Sequence, residues 1–159
     1  MMAEPLADKI IRDIDQAAQL YHRLILLVAP AGAGKTSALL EVHQRTGAHL
    51  INVNLELSRN MLDLTERQRA LQLPRLFQNL VNSREDGVIL LDNIEVLFDV
   101  SLKQDPLRLL QGLSRNRTVV AAWNGRVEGS HVVYATVGHP EYRRYPIGDL
   151  IVIHPEPAA

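Results

Sequence analysis

Apolar positions along the chain follow two alternating rhythms. Leu6, Ile10, Ile11, Ile14, Ala17, Ala18 and Tyr21 recur at three- and four-residue steps, which predicts an amphipathic helix over 5–22. Leu24–Ala29 is then an unbroken apolar run, the pattern of a strand covered on both faces. Helical spacing returns over 35–45 through Leu39, Leu40 and Val42, with Gly47 as a stop signal, and 49–53 reads as a second strand. Over 54–83 the pattern is helical but interrupted: Ser58 and Thr65 are candidate N-caps, and Pro74 suits the first turn of a new helix carrying Leu76, Phe77, Leu80 and Val81. Val88–Asp92 is a third buried strand. Asp105-Pro106 opens a helix with Leu107, Leu110 and Leu113 on one face, and 118–123 is a strand ending at Asn124-Gly125. Two last strands, 132–137 and 150–153, form a hairpin or an edge extension around a polar, aromatic loop over 142–146. Alternating strands and helices predict a three-layer α/β fold with a mostly parallel central sheet. At 159 residues the expectation is a single domain: a leading helix (1–22), a core (23–124), and C-terminal strands with their loop (125–159).

Chemistry concentrates between the first strand and its helix. Ala29-Pro30-Ala31-Gly32-Ala33-Gly34-Lys35-Thr36 fits the phosphate-binding loop G-x-x-x-x-G-K-[ST] at every position but the first, where alanine replaces glycine. Gly32 and Gly34 let the backbone curl so that successive N–H groups face phosphate oxygens, and the new helix adds its own uncapped donors. The residues from Pro30 through Ala31, Gly32, Ala33, Gly34, Lys35 and Thr36 to Ser37 are therefore the nucleotide-binding candidates. Lys35 would reach the β- and γ-phosphates, and the Thr36 hydroxyl would bind Mg²⁺. Val88-Ile89-Leu90-Leu91-Asp92 is the matching Walker B pattern, placing Asp92 at the end of a parallel strand as the second metal candidate. The expected ligand is ATP with Mg²⁺.

Hydrolysis needs more than this cradle. Many ATPases with an added strand between the two Walker strands carry an acid directly after the Walker B aspartate; here the neighbour is Asn93, which can place a water but cannot take its proton. Glu95 is the nearest carboxylate for that task, unless it merely caps a helix or faces solvent. Asn124 stands where AAA+-like ATPases hold a polar residue beside the γ-phosphate, unless Asn-Gly is a plain turn. Asn93, Glu95 and Asn124 are thus the catalytic candidates.

Charge and composition narrow the partners. Seventeen basic and eighteen acidic residues leave a net charge of −1, which excludes a purely electrostatic DNA binder. Cysteine is absent, so disulfides, thiolate nucleophiles and zinc–cysteine sites are excluded, and the six histidines lack metal-ligand spacing. No run reaches the length of a membrane span, and Glu4, Asp8, Asp13 and Asp15 argue against a secretory or transit peptide, so no membrane contact and a cytoplasmic location are expected. Three lysines stand against fourteen arginines. Among the arginines, Arg115, Arg117, Arg126, Arg143 and Arg144 flank the late strands, and one of them supplied by a neighbouring subunit would stabilise transition-state charge. Glu141-Tyr142-Arg143-Arg144-Tyr145 interleaves aromatic and basic groups, a pattern shared by DNA-contacting surfaces and packed loops.

Together with Asp92-Asn93-Ile94-Glu95, the loop and the tail His139-Pro140-Glu141-Tyr142-Arg143 resemble the BrxF family, small P-loop proteins of BREX bacteriophage-defence systems, over nearly the whole chain. The resemblance implies a bacterial protein whose partners are other defence proteins, among them a methyltransferase and a larger ATPase. The AAA+/ASCE likeness stops after Asn124, where about 35 residues are too few for a helical lid, so adenine contacts are expected from residues 20–22 or from the last strands. The expected function is ATP binding with weak hydrolysis. A nucleotide-dependent switch or scaffold, or a small-molecule kinase, would use the same loop.

Overall fold

The computed structural model describes residues 5–83 and 87–155. Residues 1–4 of the expected leading segment, Glu4 among them, and 156–159 of the C-terminal segment lie outside the described residues. Helices α1 (Leu6–Ala17), α2 (Lys35–Thr46), α3 (Val53–Asn60), α4 (Glu66–Asn82) and α5 (Pro106–Leu113) surround strands β1 (Leu24–Ala29), β2 (His49–Asn52), β3 (Val88–Asp92), β4 (Thr118–Glu128), β5 (His131–Tyr134), β6 (Arg143–Pro146) and β7 (Ile151–Ile153). The central sheet runs β2-β3-β4-β1-β7 with every pair parallel, so the fold is the expected α/β type and β4 lies between the two Walker strands.

Alternation along the strands makes two cores. Leu24, Leu26 and Val28 of β1 face one way with Leu91, Ala121 and Trp123, against Leu73 and Phe77 of α4 and Leu110 of α5. Ile25 and Leu27 face the other way with Leu90, Val120 and Ala122, against Ile10 of α1 and Leu39 of α2. Because both faces are covered, β1 and the bodies of β3 and β4 are apolar at successive positions.

Three expectations are corrected. Pro74 does not open a helix; it sits inside the 17-residue α4, which starts at a Thr65–Gln68 capping box. A proline there cannot donate to the carbonyl of Ala70, and that carbonyl accepts instead from Gln104 Nε2 at 2.8 Å. Ser58 likewise caps nothing, lying within α3; the cap is Asn52, whose side chain accepts from the Leu55 N–H.

The third correction concerns the strand end expected at Asn124-Gly125. β4 continues to Glu128 and pairs antiparallel with β5, which pairs with β6, the strand that replaces the expected loop over 142–146. The ribbon folds over the first core, where Val132, Tyr134 and Tyr145 join Trp123. Trp123 Nε1 donates to the carbonyl of Val133 at 3.2 Å. A Cβ on Gly125 would stand 1.9 Å from that same carbonyl oxygen. The glycine is required by close approach, not by a turn.

Of the two arrangements expected for 150–153, the edge extension is the one observed: it forms β7 and adds to the free edge of β1, in parallel.

Candidate nucleotide-binding site

The loop leaves the sheet at Ala29, a 2% exposed residue paired with Asn124 across β1 and β4. Gly32 (φ +81°) and Gly34 (φ +94°) adopt left-handed backbone with open space where a Cβ would stand, so dihedral alone demands glycine. Ala29 has no positive φ, which explains why alanine is accepted in the first position of the pattern. α2 begins at Lys35 with no side-chain cap on Gly34, leaving the donors of its first turn to face the loop.

Lys35 is buried, at 6% exposure. Its ammonium donates to the carbonyls of Ala29 and Pro30, each at 2.8 Å. Burial pulls its pKa below the ordinary lysine value, while Asp92 and Glu95 oppose that shift. The fold holds this charge at a cost, and a polyphosphate would relieve it.

Asp92, at the end of β3, accepts from the Thr36 hydroxyl at 2.7 Å. Hydroxyl and carboxylate oxygens are hard ligands of the kind Mg²⁺ takes. The residues present therefore fit a magnesium–nucleotide complex: Thr36 and Asp92 would hold the metal, and Lys35 with the loop amides would hold phosphate oxygens. The ligand would supply the phosphoryl group and the charge that the cradle is shaped to neutralise.

Asn93 is left-handed (φ 52°), a conformation asparagine tolerates better than most residues. Its N–H donates to Asp92 Oδ1 at 2.9 Å, and its carbonyl accepts from the Asn54 N–H at 2.8 Å. Asn54 Oδ1 in turn accepts from the Val96 N–H at 2.8 Å. Asn54 thus clips the segment carrying Glu95 to the start of α3. Sequence reading missed this residue, and no local pattern marks it, because both bonds span about 40 residues.

Glu95 is the first residue of a short 3₁₀ turn (Glu95–Phe98) and makes no capping bond. It lines a cavity of ≈ 350 Å³ together with Ala31, Gly32, Gly34, Lys35, Thr36, Ser37, Asp92, Asn93 and Asn124. Of the sequence-predicted site residues, Pro30 and Ala33 alone do not line it; Pro30 contributes its carbonyl to Lys35. Ala122 lines it too, on the same strand face as Asn124, a position that period-two alternation marks. In the first core Phe98 stacks on Tyr134 with ring centroids 3.6 Å apart, and burial first, then Glu141 and Glu95, push the Tyr134 phenol up to about 12.

Among the described residues no arginine lines this cavity. Arg115 lies over the Tyr21 ring, 5.1 Å from its centroid, and Arg117 donates to the Val81 carbonyl. Arg143 donates to the Gln104 carbonyl, and Tyr145 donates its hydroxyl to Asp105 while its ring packs 5.9 Å from Trp123. The aromatic–basic stretch over 141–145 is therefore largely tied into packing, with Arg144 exposed. Residues 20–22 precede β1 and the loop follows it, so about 16 Å of strand lies between them. They line a separate cavity with Gln111 and Leu150. At the other end of the strand, Ile153 of β7 pairs with Leu27, two residues before Ala29.

No helix among the described residues is long and apolar enough to cross a membrane. None of the curated proteins matches the sequence. Among solved structures, C. elegans PCH-2 superposes with a TM-score of 0.50 at 16% identity, covering 97% of this chain and 44% of that one. At that identity the likeness is one of fold, and the chain spans less than half the length of that protein. The model of the ATPase family associated with various cellular activities matches residues 25–124, from β1 through Asn124, and takes in the loop, Asp92 and Glu95. With well over half of its length and both Walker strands inside that match, the chain belongs to the AAA family of P-loop ATPases.

Proposed function

We propose that this chain binds ATP with Mg²⁺ and hydrolyses it weakly, as a module of a bacterial, cytoplasmic phage-defence assembly of the BREX type. The observation that carries the nucleotide reading is convergence: Lys35, the Thr36–Asp92 pair, Glu95 and Asn124 arrive from four separate elements at one cavity. In this reading Lys35 and the loop amides hold the phosphates, and Thr36 and Asp92 hold the metal. Glu95 accepts the proton of the attacking water, Asn93 helps to place that water, and Asn124 contacts the γ-phosphate. The defence assignment is supported by the order of motifs and by the tail over 139–143. Its partners would be the other proteins of that system, with DNA contact confined to the complex.

Weak turnover follows from two features of the site. The residue after Asp92 is an amide, and no arginine among the described residues lines the cavity, so a second copy of the chain would supply the cation. The left-handed Asn93, committed to backbone hydrogen bonds on both sides, also favours a second reading, a nucleotide-dependent switch that does not turn over.

Calorimetry and phosphate release with ATP and Mg²⁺, with and without DNA, test both. The wild type should bind ATP and release phosphate, Glu95→Gln should bind but not turn over, and Lys35→Ala should do neither while keeping its circular dichroism. Binding without turnover at every protein concentration selects the switch. Absence of ATP binding by the wild type refutes the proposal.

A further inference from the structure

β4 carries the site beyond the cavity. Ala122 and Asn124 line the cavity from one face of this strand, and Arg126 is the next residue on that face. Its guanidinium does not project away. Gly125 pairs with Tyr134 and Arg126 with Val133, where the ladder ends, and Ala135 follows in left-handed backbone (φ 63°). Arg126 donates to the carbonyl of Ala135 at 3.0 Å, which draws its side chain past Gly125 toward the Asn124 end of β4. Its Nε is paired at 2.7 Å with Glu128, and both side chains are roughly half exposed (41% and 47%).

An exposed carboxylate pair of this kind contributes little to stability, whereas a guanidinium binds a phosphate oxygen pair through a charge-assisted fork. Exchange of one anion for the other therefore favours the phosphate. Among the described residues Lys35 is the sole cation lining the cavity, facing Asp92 and Glu95, so a terminal phosphate would leave negative charge unmet on the Asn124 side. We infer that Arg126 is a γ-phosphate reader supplied in cis, held by Glu128 until a triphosphate enters and then transferred to its terminal oxygens. The inference rests on the nucleotide reading above and adds to it a basis for telling ATP from ADP. Binding of the terminal phosphate would pull on the β4–β5 ribbon, through the bond that Arg126 already makes to Ala135.

The test compares ATP with ADP, each with Mg²⁺, by calorimetry. Arg126→Ala should weaken ATP binding about tenfold and leave ADP unchanged, because only the γ-phosphate is read. Glu128→Gln, which releases the arginine, should tighten ATP two- to threefold, again with ADP unchanged. If Arg126→Ala weakens both nucleotides equally, the residue merely supports the hairpin and the inference is wrong. If Arg126→Ala changes neither, or Glu128→Gln leaves ATP affinity where it was, it is equally wrong. Mixing Arg126→Ala with Lys35→Ala protein separates cis from trans. Action in cis leaves ATP affinity weak; restoration by the Lys35→Ala subunits would show that the arginine comes from a neighbour. A wild type that binds ADP but does not prefer ATP defeats this inference alone, whereas a wild type that binds neither nucleotide defeats the nucleotide reading beneath it.

Discussion

Lys35 shows how a functional residue sets itself against stability. Its ammonium is buried against two carbonyls, and burial lowers its pKa relative to an unfolded lysine. Removing such a buried charge in favour of an apolar side chain of similar length is often neutral or stabilising. Lys35→Met should thus lose ATP binding yet be as stable as wild type, or up to about 2 kcal/mol more so, in urea melts near pH 7. The pH dependence has a definite sign. A lysine whose folded pKa is lowered leaves the native state with fewer bound protons than the unfolded state, so stability rises with pH between the folded value and the unfolded value of about 10.5. Below that window the desolvation cost is fully present. The wild type should gain on the methionine variant as pH climbs through this window, and a constant gap would show that Lys35 is not the group responsible.

Local motifs were legible in the sequence at the scale of elements, and long-range repairs were not. The run Leu24–Ala29, the loop after it, the strand to Asp92 and the Asp105 cap are each written in a few consecutive residues, and each appears as expected. Pro74 reads as a helix start because a proline inside a helix leaves a carbonyl unpaired. The repair comes from Gln104, 34 residues away from the Ala70 carbonyl it serves. Asn124-Gly125 reads as a strand end for the same kind of reason: that Val133 approaches Gly125 is visible only once β5 has folded back. The cavity followed the same rule, with the loop and Asp92 legible and the Asn54 clip invisible. A double-mutant cycle tests the proline repair. Gln104→Leu should cost about 1–2 kcal/mol in urea unfolding, since the Ala70 carbonyl loses its partner. In the Pro74→Ala background a backbone N–H becomes available at position 74, and the same change should cost less by about 1 kcal/mol. Equal costs in both backgrounds would mean that Gln104 acts elsewhere, through its second bond to the Leu102 carbonyl.

Across the whole molecule, the site is built from one wall. Loop, metal candidates and Glu95 all belong to the sheet's upper edge and α2, while the chain after β4 is spent on the ribbon over the opposite face and on β7. Arg126, on the same face of β4 as Asn124, addresses the ground-state terminal phosphate rather than both sides of a transferring group. Compensation of the transition state then falls to another molecule. A second copy is the simplest source, and Arg144, exposed on β6, is the arginine of the late strands that the fold leaves to solvent. A transition-state arginine is worth about 10³–10⁵ in rate, so even partial assembly should dominate turnover. Specific phosphate release should accordingly rise at least about tenfold across the concentration range in which light scattering shows the mass leaving that of one chain. Arg144→Ala should abolish the rise without altering ATP affinity measured in the dilute, single-chain regime. Specific activity that stays flat while the mass increases would show that self-assembly adds nothing to the site. A rise that survives Arg144→Ala would move the search to the remaining arginines of the neighbouring copy.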